Sequence, residues 1–484
     1  MVRRVSIALV LLVVLVGALV PGGFERGATL LLGITTRRFG WFYLVATFGF
    51  LLFALYLAFS EHGSVRLGAD EDEPEYSDTS WFAMLFSAGM GIGLVFWGVA
   101  EPLSHYIDPP QGAGSATPEA ARLAMRYAFF HWGLHAWGIY AVIALAIAYF
   151  NFRRGYSGLV SSTFIPLLGE RARGPIGKVI DILAVIATAF GVATSLGLGT
   201  LQINGGLTHM FGVPSGIGTQ FVIIAVVTVL YLGSAMTGLD RGIRILSNVN
   251  LIVAVALLVI TLLVGPTSFL FDVLTTTLGD YFGNFVPMSL RLTPFRGGAW
   301  VQDWTLFYWA WWIAWAPFVG TFIARVSRGR TIREFVLGVL IAPSLFGFLW
   351  FAVFGGTALE LELFHAAGLA ESASTDVTTA LFLTLEQLPV GALLAGVATV
   401  LIVTFFVTSA DSATFVLGML TSEGDLHPSN RIKLTWGLLQ SAIAAVLLMV
   451  GGLQGLQTAS IVAAAPFSVI MVLMCVSLRL ALRA

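Results

Sequence analysis

Twelve stretches of roughly twenty mostly apolar residues recur along the chain, and they limit its fold more than any other feature. Hydrocarbon offers the backbone no hydrogen-bond partners, so a segment crossing it must satisfy its own amides and carbonyls, as a helix does. The spans read from the pattern are 5–20, 41–60, 81–100, 126–149, 179–200, 218–236, 245–264, 300–324, 335–355, 389–412, 434–451 and 457–480. Composition agrees: 57% of the 484 residues are hydrophobic and only 11% charged, against about 25% charged in a typical soluble domain. The expected fold class is an all-α polytopic membrane protein. The run Val5 to Val20 follows Arg3 and Arg4 as a signal peptide would, but it is long for one and no A-x-A site follows, so it is read as the first span.

If the spans alternate in direction, eighteen of the 25 Lys and Arg residues fall on the side of the N-terminus. The positive-inside bias then places both termini in the cytoplasm, with Arg26, Arg37 and Arg38 against the trend. Lys178 and Lys433 are the only lysines and the net charge is −1, which gives no reason to expect a nucleic-acid partner. The single cysteine, Cys475, excludes an intramolecular disulfide and a cysteine-based metal site. The acidic run ADEDEPEYSD, 69–78, reads as a solvated cytoplasmic loop. No nucleophile, base and oxyanion-donor set appears in the spans, so an enzyme is not expected.

One span carries a pattern at odds with a plain helix. In SAGMGIGLVFWGVAEP, Ser87 to Pro102, glycines stand at 89, 91 and 93. Each weakens a helix interior by roughly 1 kcal/mol relative to alanine. Gly89 and Gly93 alone make the G-x-x-x-G spacing of helix packing, but Gly91 falls on the opposite side and serves no shared groove. Glycine at alternate positions fits an unwound segment better, its backbone groups turned into a protein-lined cavity where a ligand can meet them.

Aromatic residues supply the second pattern. In DWTLFYWAWWIAWAPFVGTF, 303–322, Tyr308, Trp311, Trp312, Trp315 and Phe318 lie within an arc of about 120° on a helix. They stand mid-span, whereas interfacial tryptophans stand at span ends. In FHWGLHAWGIY, 130–140, Trp132, Trp137 and Tyr140 share an arc of about 140°. Two such faces make a cage, and a quaternary ammonium suits a cage because it has no hydrogen bonds to donate. The spans hold no lysine and little acid near these faces, so π-faces rather than a carboxylate are expected to hold a cation. His131 and His135, at i and i+4, are read as packing and hydrogen-bonding residues, since no third metal ligand stands nearby in sequence.

A third set lies in FFVTSADSATF, 405–415. Thr408 and Ser409 place two hydroxyls near a span end, where they suit a sodium ion if backbone carbonyls complete its shell; alone, such hydroxyls bond to carbonyls of their own helix. Asp411 is an ionisable residue at a membrane boundary, and Arg325 on the same side is its expected partner in a gate pair.

Together these residues resemble the betaine/choline/carnitine transporter family. The likeness rests on GMGIGL at 89–94 with EPLSHY at 101–106, on FHWGLHAWGIYA from Phe130 to Ala141, on FYWAWWIAWAPFVGTFIARVSRGRTIREF at 307–335 and on FVTSADSA at 406–413. It implies two N-terminal accessory helices (1–80), then two inverted five-helix repeats (81–264 and 300–484) in a LeuT-like fold, separated by a surface connector (265–299). It implies a substrate cage of Trp132, Trp137, Tyr140 and Trp312, a path lined by Trp311 and Trp315, and a close approach by the backbone of Gly89, Gly91 and Gly93. One sodium site would use carbonyls of Ser87, Met90 and Phe405 with the hydroxyls of Thr408 and Ser409. A second would use Thr188 and Phe318, but Val192 stands where the family has a second threonine. No basic side chain stands within 179–200 and Gly93 is retained, which favours sodium coupling over ion-free exchange or proton-coupled choline transport. The expected function is sodium-coupled import of glycine betaine or a related osmolyte, with sodium as coupling ion, no cofactor, and a homotrimer in the plasma membrane. A proton-coupled choline or carnitine carrier and an osmotically gated channel are the alternatives.

Overall fold

In the computed structural model the described residues are 1–89, 91–237, 240–295, 297 and 299–483, with the side chains of 86–89, 237 and 240–244 outside the description. The longer helices are α1 (Val2–Leu19), α2 (Pro21–Phe59), α3 (Asp78–Gly89), α4 (Ile92–Ile107), α5 (Pro118–Trp132), α6 (Leu134–Ala148), α7 (Pro175–Phe211) and α8 (Ile217–Thr237). They continue with α9 (Asp240–Val264), α10 (Thr267–Gly283), α11 (Phe307–Val326), α12 (Ile332–His365), α13 (Gly391–Leu420) and α14 (Asn430–Arg483). Among the described residues there is no strand beyond an isolated bridge between Arg66 and Thr331. Among the described residues, ten helical segments are long and apolar enough to cross a membrane.

The difference from twelve apolar runs has a local cause at each end of the chain. The run at 81–100 is divided between α3 and α4, so neither half is long enough by itself. The last two runs share α14, 54 residues with a backbone break at Gly452, φ 52° and ψ −135°. Residues 21–40, read as the connection between the first two spans, are instead the first half of α2. Pro21 fits the first helical turn, where its missing N–H and fixed φ do no harm, and the apolar LLLGI that follows keeps the helix going. At 1.5 Å per residue, α2 is about 58 Å long.

Small residues let the helices around the centre approach closely. A Cβ on Gly320 of α11 would lie 2.5 Å from Ile143 of α6, and one on Gly191 of α7 would lie 2.9 Å from the Ala314 carbonyl carbon of α11. Thr194 of α7 bonds Ser460 of α14 at 2.7 Å, and Tyr43 of α2 donates to the Ile461 carbonyl at 2.7 Å. Alpha11 therefore sits at the middle of the bundle with α6 and α7 pressed against it.

The acidic run 69–78 is largely exposed, as expected of a solvated loop, but three of its carboxylates are paired. Asp70 pairs with Arg153 at 2.7 Å, Asp72 with Arg328 at 3.4 Å and Asp78 with Arg330 at 2.7 Å. Arg330 also lies 3.9 Å from the Trp81 ring centroid and is almost fully buried. Backbone bonds from Leu67 to Arg330, Gly329 to Leu67 and Ile332 to Val65 fasten the same strip. The carboxylates are matched to the arginines of two loops far away in sequence, so the three loops share one end of the molecule.

Candidate functional site

The glycine segment breaks the helix. Alpha3 ends at Gly89 and α4 starts at Ile92, with Gly91 extended at φ −159° and ψ −176°. Met90 lies outside the described residues. Among the described residues nothing stands within 4 Å of a Cβ placed on Gly91, whereas one on Gly93 would lie 2.5 Å from Cη2 of Trp311 and 3.3 Å from Cη2 of Trp132. The first turn of α4 is thus laid against tryptophans from α5 and α11, and only glycine leaves room for them.

Those tryptophans form one contiguous set. Trp132 meets Trp312 edge-to-face at 4.8 Å, and Trp311 stacks on Trp312 at 4.7 Å and 15°. Tyr140 reaches Trp312 at 6.2 Å, and Trp137 joins through Tyr140 at 5.5 Å. Trp132, Trp137, Tyr140 and Trp312 are each 5–7% exposed, so a ligand reaches them only when the surrounding helices move. Trp315 is partly buried and turns to Phe318 at 5.1 Å, beside the close contact of Gly191. The chain breaks again at Gly133, between α5 and α6, which sends Trp132 and Trp137 to the shared face from two differently directed helices.

Behind the rings lies a residue the sequence reading missed. Glu101 of α4 is fully buried. Its Oε1 faces His131 Nδ1 at 2.7 Å and His105 Nε2 at 3.2 Å; its Oε2 accepts from Trp132 Nε1 at 2.8 Å and from the Tyr308 hydroxyl at 2.5 Å. His131 continues to Thr305 through Nε2 at 3.0 Å, stacks on Tyr308 at 4.6 Å, and its carbonyl accepts from Trp312 Nε1 at 2.9 Å. One expectation is corrected here: acid does stand beside the aromatic residues, because α4 lies along α5 and brings Glu101 across a gap of 30 residues, while His131 is the hydrogen-bonding residue expected. The signal was available: Glu101 and His105 are an i, i+4 pair at the end of an apolar run, where an ionisable residue marks a functional position.

Glu101, His105 and His131 have the side-chain types of a metal centre, with ligand atoms all within 4.8 Å of one another. The 2.7 Å between Glu101 and His131 is a hydrogen-bond length, and the second carboxylate oxygen is already taken by Trp132 and Tyr308. Hydrogen bonding accounts for the cluster. His135 points elsewhere, to Ser289 at 2.7 Å and onto Trp309 at 5.4 Å, because the break at Gly133 rotates it away from His131.

The hydroxyl set on α13 is partly engaged. Thr408 Oγ1 lies 3.1 Å from the Thr404 carbonyl and 3.2 Å from that of Phe405, and Asn250 of α9 approaches it at 3.4 Å. Ser409 is partly buried, and the side chain of Ser87 falls outside the description. Thr188 donates to the Ala184 carbonyl at 2.8 Å, with buried Val192 one turn further on and Phe318 partly buried. Arg325 is exposed while Asp411 is 5% exposed, and the structure does not bring the two together.

Comparison with known proteins adds a family match and three relatives. The sequence model of a family described as BCCT, betaine/carnitine/choline family transporter, matches residues 1–484. The chain is 52% identical over 477 residues to the glycine betaine transporter OpuD of Bacillus subtilis (strain 168), covering 98% of this chain and 92% of the relative. It is 51% identical over 474 residues to an ectoine/hydroxyectoine transporter of Virgibacillus pantothenticus, covering 98% and 94%, and 45% identical over 453 residues to glycine betaine transporter 1 of Vibrio parahaemolyticus serotype O3:K6 (strain RIMD 2210633), covering 92% and 86%.

Proposed function

Since the chain belongs to the betaine/carnitine/choline transporter family and is therefore a multi-pass membrane transporter rather than an enzyme, we propose that it is a sodium-coupled symporter importing glycine betaine or a close osmolyte by alternating access. The observation that carries this reading is the buried meeting of Trp132, Tyr140 and Trp312 directly beside the broken helix at Gly91 and Gly93.

The ring faces attract a trimethylammonium group, which indole and phenol bind more strongly once water is excluded. Backbone N–H groups at the break, around Gly91, receive the carboxylate at the other end of the zwitterion. Sodium at Phe405, Thr408 and Ser409, with carbonyls of Ser87 and Met90 as its other ligands, would tie the broken helix to α13. Its occupancy then biases which side is open. The second site keeps Thr188 and Phe318 but has Val192 in place of a hydroxyl, so we assign one sodium as the firm requirement. The ten apolar segments, α5 and α6 being one of them, become twelve crossings when α3 and α4 are added as one interrupted crossing and α14 is counted as two. They form two inverted repeats, 81–264 and 300–484, after the accessory helices of 1–80, with both termini cytoplasmic and three copies in the plasma membrane.

Ectoine is the second reading for the substrate, favoured by the 51% identity to an ectoine/hydroxyectoine transporter. Labelled betaine uptake into proteoliposomes under a sodium gradient, a proton gradient or neither, with ectoine, choline and carnitine as competitors, tests the proposal. Accumulation above the bath concentration under sodium alone is expected. Accumulation under protons alone would shift the assignment to a proton-coupled carrier, and equilibration without accumulation would make it a channel.

A further inference from the structure

We propose that Glu101 is a positioning and specificity-determining residue of the aromatic cage, holding Trp132 and Tyr308 by their polar edges and tuning their faces toward a cationic head group. The inference rests on the cage reading given above. Trp132 has one polar group, an N–H, and it ends on Glu101 Oε2 at 2.8 Å; the hydroxyl of Tyr308 ends on the same oxygen at 2.5 Å. Through His131, the network also fixes the third ring, since the His131 carbonyl takes the Trp312 N–H at 2.9 Å.

The network is consistent with one net negative charge. His105 Nδ1 is buried with no hydrogen-bond partner among the described residues, which suits a neutral ring whose single N–H, on Nε2, points at Glu101. His131 can donate from Nδ1 to Glu101 and accept from the Thr305 hydroxyl at Nε2, so it too is complete as a neutral ring. Four donors then converge on two carboxylate oxygens, the full capacity of an ionised carboxylate. A charged acceptor on an indole N–H or a phenol O–H pulls the hydrogen outward and leaves the ring face more negative, the property to which a quaternary ammonium responds. Fully buried, the carboxylate is little screened by salt. A carboxylate that only locked side chains in place would improve the fit of any ligand of the right shape. One that also charges the rings discriminates by the ligand's own charge.

Glycine betaine and 3,3-dimethylbutanoate separate these roles, since the second has the same shape and carboxylate but carbon in place of the ammonium nitrogen. Their dissociation constants, measured by tryptophan fluorescence on the full chain in lipid nanodiscs, give a preference ratio. Glu101→Gln should lower that ratio about tenfold, the difference between a charged and a neutral hydrogen-bond acceptor. Glu101→Asp, which keeps the charge but retracts it, should weaken both ligands and hold the ratio near the parent value. Should the Gln protein fail to fold, Tyr308→Phe removes one bond to Oε2 and keeps the ring, and its ratio should fall a fewfold. A ratio equal to the parent's in Glu101→Gln, or in Tyr308→Phe as its substitute, overturns the charge role while leaving the cage intact. A parent protein that binds neither compound, or both equally, brings down the cage reading and this inference with it.

Discussion

Trp312 is fixed from two sides, by its N–H on the His131 carbonyl and by the stacked face of Trp311, so its ring offers a rigid surface. Replacing it with leucine removes one π-face from the cage. At roughly 0.5–2 kcal/mol per desolvated cation–π contact, the KM for betaine should rise about two- to thirtyfold in Trp312→Leu. Uptake kinetics at equal amounts of reconstituted protein measure this, and an unchanged KM would remove Trp312 from the cage. The two glycines of the break separate packing from ligand approach. Gly93→Ala drives a methyl into Trp311 and should lower both thermal stability and betaine affinity, the strain being about 1–3 kcal/mol. Gly91→Ala meets no neighbour among the described residues and keeps an extended backbone open to any residue, so its melting temperature should match the parent's while its affinity falls. Equal affinity in Gly91→Ala would mean that no ligand comes near that backbone. The aromatic residues were legible in the sequence because helical spacing is local: residues three and four apart share a face. Glu101 showed only as an ionisable residue at the end of an apolar run; its role did not show, because the rings it holds, Trp132 and Tyr308, stand 31 and 207 positions away and are joined to it only by folding.

At the scale of elements, the apolar runs announced nearly every long helix, because a twenty-residue apolar run has few other ways to satisfy its backbone in a membrane. What they hid were events that depend on partners or on single residues. The arginines that immobilise the 69–78 segment come from distant loops, and nothing local distinguishes it from a solvated tail. Arg330 is the test of that fastening: its side chain is nearly buried against Trp81 and bonded to Asp78, so Arg330→Ala should cost about 1–3 kcal/mol of stability. Arg173, paired with Glu170 where both are well exposed, should leave thermal unfolding unchanged when made alanine. Equal melting curves for the two variants would show the acidic segment to be held by nothing that matters. The break in α14 gives a purely conformational counterpart. Gly452 adopts a backbone that side chains avoid, yet nothing lies within 4 Å of a Cβ placed there, so Gly452→Ala should destabilise by about 1–3 kcal/mol through strain alone. A variant as stable as the parent would show that the two halves of α14 can join without harm.

Coupling belongs to the whole molecule, because the proposed cage stands on α5, α6 and α11 and the Thr408 hydroxyl on α13. If sodium favours the arrangement that also binds betaine, the two ligands share one coupling free energy, and each must change the other's affinity by the same factor. Factors of roughly 5 to 150 correspond to the usual 1–3 kcal/mol. Betaine affinity should therefore rise by one such factor when sodium replaces potassium at constant ionic strength, and sodium affinity should rise by an equal factor when betaine is present. Both are measurable by tryptophan fluorescence on the same sample, since the rings proposed to meet the substrate are the reporters. Thr408→Ala removes one proposed ligand from sodium while leaving the rings untouched, and should bring the factor toward one, with betaine affinity in potassium close to the parent's. Unequal factors would exclude a simple shared equilibrium. A factor of one with sodium that becomes large with protons would move the coupling ion away from Thr408, and the Glu101 network would then be the next place to look, as the buried ionisable group in direct contact with the cage.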